Sequence, residues 1–353
     1  MEVKLVAWLP EGEEILAAGA SSTRSGEDTY EILKDFHPEL MKFIDYAIKL
    51  HLSSVLDFPF AIITFSDVSR VFTHQLVRHR LAAYMQQSMR FVKIHPKPSR
   101  RYVPWYVVPP SIARSDTETI ASFLLANERA GEKYRALTGR GVPVEDARFV
   151  LPNGVKTHIT MAADAEEWLH VIAIRASQEA QWEIRRASLA ALFALSLVYP
   201  HIFGKIRVGK NTRAVKLVPK NTPTWVYRAL LKKTPEKIAI ALEEEGRYVL
   251  EADGKSYVLT PENTDITWLG GSPYSLPEAR RLVRLSRKWR KQWDGRELTV
   301  DLTDEIGTLV EEEKEIEAAE VLKEHLGWDI ESVDLSHRVI VRIRGLAQNT
   351  RSV

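Results

Sequence analysis

Thirteen residues, 187 to 199 (ASLAALFALSLVY), pass without a charge before Pro200 stops them. With the polar residues ahead of it, SQEAQWEIRRASLAALFALSLVYP reads as one long helix ended by Pro200, which has no N–H to continue the ladder. A helix that is apolar around most of its girth must be buried, inside the fold or against another subunit. Its longest apolar run, LAALFALSLVY, is too short to span a bilayer. The other elements therefore have to wrap it.

Several segments are suited to that. EVKLVAW (2–8) and PFAIITFSD (59–67) are expected as strands, the second a short β-branched run bounded by Pro and Asp. DTYEILKDFHPELMKFIDYAIKL (28–50) carries a helical apolar stripe with a break expected near Pro38. Val71, Leu76 and Val77 suggest a helix from Asp67 to about Arg80. SMRFVKI (88–94) alternates, which as a strand would put Ser88 and Arg90 on one face. DTETIASFLLANERAGEKYRALTGRG (116–141) is an amphipathic helix stopped by Gly139 and Gly141. Farther on, TPEKIAIALEEEG reads as a short helix and RYVLEADGKSYVLT as a hairpin turning at Asp253-Gly254. LPEARRLVRLSRKWRKQW is a helix with Leu282, Leu285, Trp289 and Trp293 on one side, and EEEKEIEAAE (311–320) a solvated helical surface.

At 353 residues the chain exceeds one ordinary core, and the basic, turn-rich stretch after Phe203 marks a boundary. The expected organisation is a catalytic domain over 1–205 and a smaller α+β domain over 206–353, in an α/β fold with a mixed sheet. The composition, 45% hydrophobic and 27% charged, is that of a globular protein. No cysteine is present, which excludes disulfides, thiolate catalysis and cysteine-ligated zinc, and fits a cytoplasmic setting. The N-terminus lacks the basic segment of a signal peptide. A net charge of +2 leaves anion binding to local patches.

The strongest such patch is Arg78-His79-Arg80. Three readings compete for it. It could be a solvated helix end, where cations suit the negative pole of the dipole. A metal site is disfavoured, because His74 and His79 lie five residues apart with no nearby carboxylate to complete a ligand set. An anion site uses the planar donor forks of arginine, with Gln75 and Arg78 one helical turn apart and Ser88 and Arg90 completing a donor-lined pocket.

Arg78-His79-Arg80, seven residues, then Ser88 is a pattern that resembles the signature of the flavin-dependent thymidylate synthases, the ThyX family. GVPVEDARFVLP (141–152) resembles that family's segment carrying a substrate arginine, here Arg148, and IRASQEAQWEIRR (174–186) its Arg followed by Ala-Gln-Trp-Glu-Ile, here Arg175. AAGAS (17–21) and DFPFAIITF (57–65) are similar to two earlier segments. The resemblance covers about residues 1–205. It implies an α/β unit assembling as a homotetramer, with sites built from several subunits. It implies FAD as cofactor, NADPH and methylenetetrahydrofolate as co-substrates, and conversion of dUMP to dTMP. Carried over, Gln75, Arg78, Gln86, Ser88 and Arg90 would bind the uridine nucleotide from one subunit, and Arg148 and Arg175 from another. Arg78, Ser88 and Arg175 would serve catalysis, and Ser21, Arg78, His79, Arg80, Asp164 and His170 would lie along the flavin.

This chain departs from the pattern mainly on the flavin side. Gln86 stands where the family has Glu. LDFPFA (56–61) replaces a His-Glu-Thr-Pro-Phe-Glu segment, Asp164-Ala165-Glu166 replaces Asn-x-Arg, and His170 replaces an Asn. Beyond residue 209 the chain resembles the C-terminal region of archaeal-type isoleucyl-tRNA synthetases, which would make tRNA a partner of the 206–353 domain. An RNA uridine-modifying enzyme and a non-catalytic nucleotide- or RNA-binding relative are the alternatives this raises.

Overall fold

The computed structural model describes residues 1–50, 53–93, 98–204, 238–242, 248–252, 255–259, 277–307 and 309–345. Strands β1 (Glu2–Trp8), β2 (Phe60–Ser69), β3 (Ala83–Gln86), β5 (Lys156–Asp164), β9 (Leu298–Asp301) and β11 (Ile340–Ile343) form one sheet, in the order β3-β5-β2-β1-β11-β9. Only the β1–β11 pair is parallel; the rest are antiparallel, so the sheet is mixed. Two smaller sheets accompany it. β4 (Arg101–Tyr102) pairs with β10 (Ser332–Val333), and β6 (Ile238–Leu242), β7 (Tyr248–Ala252) and β8 (Lys255–Leu259) form a meander.

Alternation builds the core. Val3 and Leu5 on β1, Ala61, Ile63 and Phe65 on β2, Ile159, Met161 and Ala163 on β5, and Val341 and Ile343 on β11 are all buried. The apolar helix, Trp182–Val198, packs into that core and is buried around most of its circumference, as its sequence requires. Its start is fixed by the Gln181 side chain, whose Oε1 accepts the N–H groups of Glu183 (3.0 Å) and Ile184 (3.2 Å). At its far end Tyr199 turns inward. The Leu9 amide donates to the Tyr199 hydroxyl (2.9 Å), which in turn reaches the Leu9 and Phe60 carbonyls at 3.0 and 2.9 Å. Gly12 gives the ring its room here, since a Cβ would stand 3.0 Å from the Tyr199 ring, a tight contact. Replacing Tyr199 with Phe is expected to destabilise the fold by about 0.5–1.5 kcal/mol, by removing the hydroxyl that bridges the Leu9 and Phe60 segments, whose backbone groups keep each other and the Gly12 amide as partners. Denaturant unfolding measures this, and an unchanged midpoint at unchanged slope would refute it.

Several expectations are corrected. The residues placed in a separate C-terminal domain share the main sheet and core from 277 onward: β11 lies between β1 and β9, and Ala279, Leu282 and Val283 of the helix Pro277–Arg290 join the same cluster. Leu285, Trp289 and Trp293 pack against that cluster, while the Arg and Lys residues face outward. The boundary near 205–208 itself lies outside the described residues. IAIAL (238–242) is a strand, because its alternation is satisfied by pairing with β7; the segment TPEK before it, the acidic run after it and the Asp253-Gly254 turn are outside the described residues. The 311–320 segment belongs to the helix Glu312–Leu326, which buries Glu315, Ala318 and Ala319. Pro38 does break the early helix, leaving Thr29–Lys34 and Lys42–Leu50 joined by a 3₁₀ turn at Pro38–Met41. Among the described residues no helix is long and apolar enough to cross a membrane.

Candidate active site

The helix bearing the signature is shorter than its periodicity suggests. β2 runs on to Ser69, whose hydroxyl accepts the Phe72 amide (3.0 Å) and starts a helix over Arg70–Leu76. Ser69 is held by Glu183 of the core helix, which accepts its N–H (2.7 Å) and Oγ–H (2.5 Å). The chain leaves the helix at Val77, so Arg78 stands in a turn and His79 and Arg80 follow it outside any helix or strand. Arg78 and Arg80 are exposed and His79 between them is buried, 4% accessible. The Tyr84 hydroxyl pins this stretch, 2.7 Å from the His79 carbonyl and 3.0 Å from that of Leu76.

Arg175 closes the arrangement from another element. The helix Ala165–Arg175 begins at Asp164, whose carboxylate accepts the Glu167 amide (2.8 Å), carries Glu166 and Glu167 in its first turn, and ends in Arg175, the polarity its dipole favours. Arg175 Nε donates to His79 Nε2 (3.0 Å) and Nη2 to the Gln75 carbonyl (3.2 Å). Because a guanidinium only donates, His79 Nε2 must be the acceptor, so the ring is neutral with its proton on Nδ1. Burial, then the Arg175 charge, then His170 push the His79 pKa down to about 4. Nδ1 faces Glu167 Oε1 at 3.8 Å, yet that carboxylate does not protonate the ring. Glu167 is itself buried, and burial with the nearby Asp164 raises it to about 7. The His170 ring meets His79 edge-on, centroids 5.4 Å apart. Burial, and next the Arg78 charge, lower the Arg175 pKa.

A second cationic group stands at the other end of the same short helix. Arg70 Nη2 donates to the Gln87 carbonyl (2.8 Å), propping the loop that carries Ser88. Its pKa is lowered by burial and then by Arg148. Arg90 pairs with Glu145 (2.9 Å), and Arg148 Nε donates to the Glu145 carbonyl (3.1 Å), so Arg90 and Arg148 meet around one residue. Ser88 and Arg90 are not on a strand: β3 ends at Gln86, and the Ser88 hydroxyl and carbonyl accept the amides of Arg90 and of Phe91 and Val92 in a turn. Ser88 lines a cleft of about 290 Å³ with Met89, Val92 and Trp105. Gln86 ties strand to helix through Thr73 Oγ1 (2.9 Å).

The chain thus gathers Gln75, Arg78, His79 and Arg175 at one end of the helix, and Ser88, Arg90 and Arg148 at the other. Arg175 and Arg148, expected together from a second subunit, are divided between these groups. Arg70 was not anticipated; its signal, an arginine at a helix start beneath a Gln-Ser turn, needs the fold to be visible. Ser21 lies on the helix Gly12–Ser22, with its carbonyl accepting the Arg24 amide. Among the described residues no cluster of His, Asp and Glu could hold a metal ion.

The mixed α/β scaffold presents arginines around the signature turn, a set of donors whose chemistry suits an oxyanion. Residues 4–201 match the family described as thymidylate synthase complementing protein. The chain is 37% identical over 242 residues to the flavin-dependent thymidylate synthase of Sulfurisphaera tokodaii, covering 68% of this chain and 90% of that one. It is 37% identical over 206 residues to the enzyme of that name from Saccharolobus solfataricus (58% and 75% covered), and 34% over 204 residues to that from Geobacter sulfurreducens (58% and 85%). The chain belongs to the flavin-dependent thymidylate synthase family.

Proposed function

We propose that this protein methylates the C5 carbon of dUMP to give dTMP, with methylenetetrahydrofolate as carbon donor and NADPH as the source of reducing equivalents, in the cytoplasm. The observation that carries the reading is the clamp of Arg175 on Gln75 and His79, with Arg78 beside it. Guanidiniums held by a rigid turn suit a nucleotide phosphate and the charge that develops on pyrimidine carbonyls. Ser88 acts as a donor in this reading. Its hydroxyl accepts the Arg90 amide and has no paired base among the described residues, which makes it a poor nucleophile.

FAD, when bound, would supply the hydride. The cationic part of the chain fits it: Arg78 and Arg80 are exposed guanidiniums beside the buried His79 and half-buried His170. The start of the helix Ala165–Arg175 fits a diphosphate poorly, since Asp164 occupies its amide donors and Glu166 follows. A second copy of the chain completes the site in this reading, in a homotetramer. Leu81, Met85, Phe91 and Phe149, between 73% and 84% exposed around the two arginine groups, are the apolar surface that such an assembly would cover. The test is dUMP-dependent oxidation of added reduced FAD, together with dTMP formation when the folate is supplied. Protein that gives neither overturns the reading.

A further inference from the structure

Outside the signature region a second, smaller cavity of about 60 Å³ lies between the β2 bulge, the start of β5, the first turns of the core helix and the 334–338 segment before β11. We infer that this cavity is a site for one small tetrahedral oxyanion of the phosphate class, held by Lys156, Arg186 and His337.

The charges around it favour that occupant. Three lining groups are committed elsewhere: Glu183 to Ser69, Arg338 to Asp301 (2.6 Å), and Asp334 to Ser336 and, at 3.5 Å, to Arg101. Asp67, in the left-handed region (φ 56°) where the β2–β5 register shifts, and next Asp334 are the carboxylates whose charge reaches Lys156. Against them stand Lys156 and Arg186, with Arg114 close enough for its charge to be felt at His337. The His337 ring lies edge-on to Trp182, centroids 5.3 Å apart, and its Nε2 is buried without a hydrogen-bond partner. A buried polar atom left in that condition costs stability, and as the protonated nitrogen of a neutral ring Nε2 would donate to an anion's oxygen. Burial, and after it Arg186, the chain's amino group, Arg114 and Lys156, hold the His337 pKa down at about 3, which reports a net positive field at the ring.

Size decides the class of ligand. On the same measure one water needs about 10–15 Å³, so the cavity has room for several waters or for one tetrahedral anion. Arg186 and His337 distinguish its lining from that of the Ser88 cleft, with which it shares Asp67 and Lys156. His337 also lies outside the residues that match the family.

The probe is inorganic phosphate added to the full chain, read at the imidazole proton signals of His337 by NMR and in parallel by calorimetry. The expected result is a saturable shift of the His337 signals. It should persist in Arg90→Ala, which removes a cation of the nucleotide site, and weaken tenfold or more in Lys156→Met. The same weakening is expected calorimetrically in His337→Ala. An unmoved His337 signal in the unmodified protein overturns the inference without reliance on any variant, as does unchanged affinity in a folded His337→Ala.

Discussion

Replacing Arg175 with Ala is expected to lower kcat/KM for dUMP on the order of 100-fold, and to raise the pKa of His79 in the same protein. A charged hydrogen bond is worth about 1.5–3 kcal/mol, and this side chain makes two within the protein before any ligand is considered. Without it the Gln75 carbonyl and His79 Nε2 lose their donor, and the turn presenting Arg78 loses its brace. The histidine supplies a readout independent of activity. Its depressed pKa owes most to burial and next to Arg175, so removing the cation moves it up from about 4 toward the ordinary range. The sign follows for stability. A histidine whose folded pKa is depressed binds fewer protons folded than unfolded, so its contribution is present above about 6.5 and is lost as pH falls toward 4. In Arg175→Ala that acid-side slope becomes shallower. Arg175→Lys keeps the charge without the planar fork, and should fall between the two proteins. A variant with native kcat/KM and an unshifted His79 titration would remove Arg175 from the site.

The parts of this site that were legible in the sequence are those whose residue types admit few uses. The apolar run before Pro200 had to be a buried helix, and it is. Leu285, Trp289 and Trp293 at helical spacing read as core, and they pack on it. What escaped depends on partners distant in sequence. β11 pairs with β1 across almost the whole chain, Ile340 opposite Glu2, and nothing in four residues announces so remote a neighbour. The residues IAIAL sit amid good helix formers, and only the pairing with β7 resolves them as a strand. Ser88 and Arg90 alternate like a strand, but the Ser88 hydroxyl and carbonyl gather three following amides into a turn. The division of the arginines between two ends of one short helix is likewise a property of the turn at Val77, which periodicity alone extends to Arg80.

That division leaves the flavin side to be judged by charge, and the double variant Asp164→Asn with Glu166→Arg is expected to tighten FAD binding by about 10- to 150-fold, the span of one charged hydrogen bond gained. The unmodified chain opposes a diphosphate here in two ways. Asp164 caps the helix start, so its carboxylate stands where an anion would otherwise meet backbone N–H groups. Burial, with the nearby Asp57 among the groups that disfavour its charge, raises the Asp164 pKa, so introducing another anion beside it adds repulsion. Asparagine preserves the cap, since its side-chain oxygen can still accept the Glu167 amide, and the variant should therefore fold. Arginine at 166 adds a donor fork at the same helix start. Flavin absorbance of the purified protein and fluorescence titration with FAD measure the change. Equal affinity in the two proteins would mean that the flavin's phosphates lie elsewhere, and that the acidic start of this helix has no part in holding the cofactor.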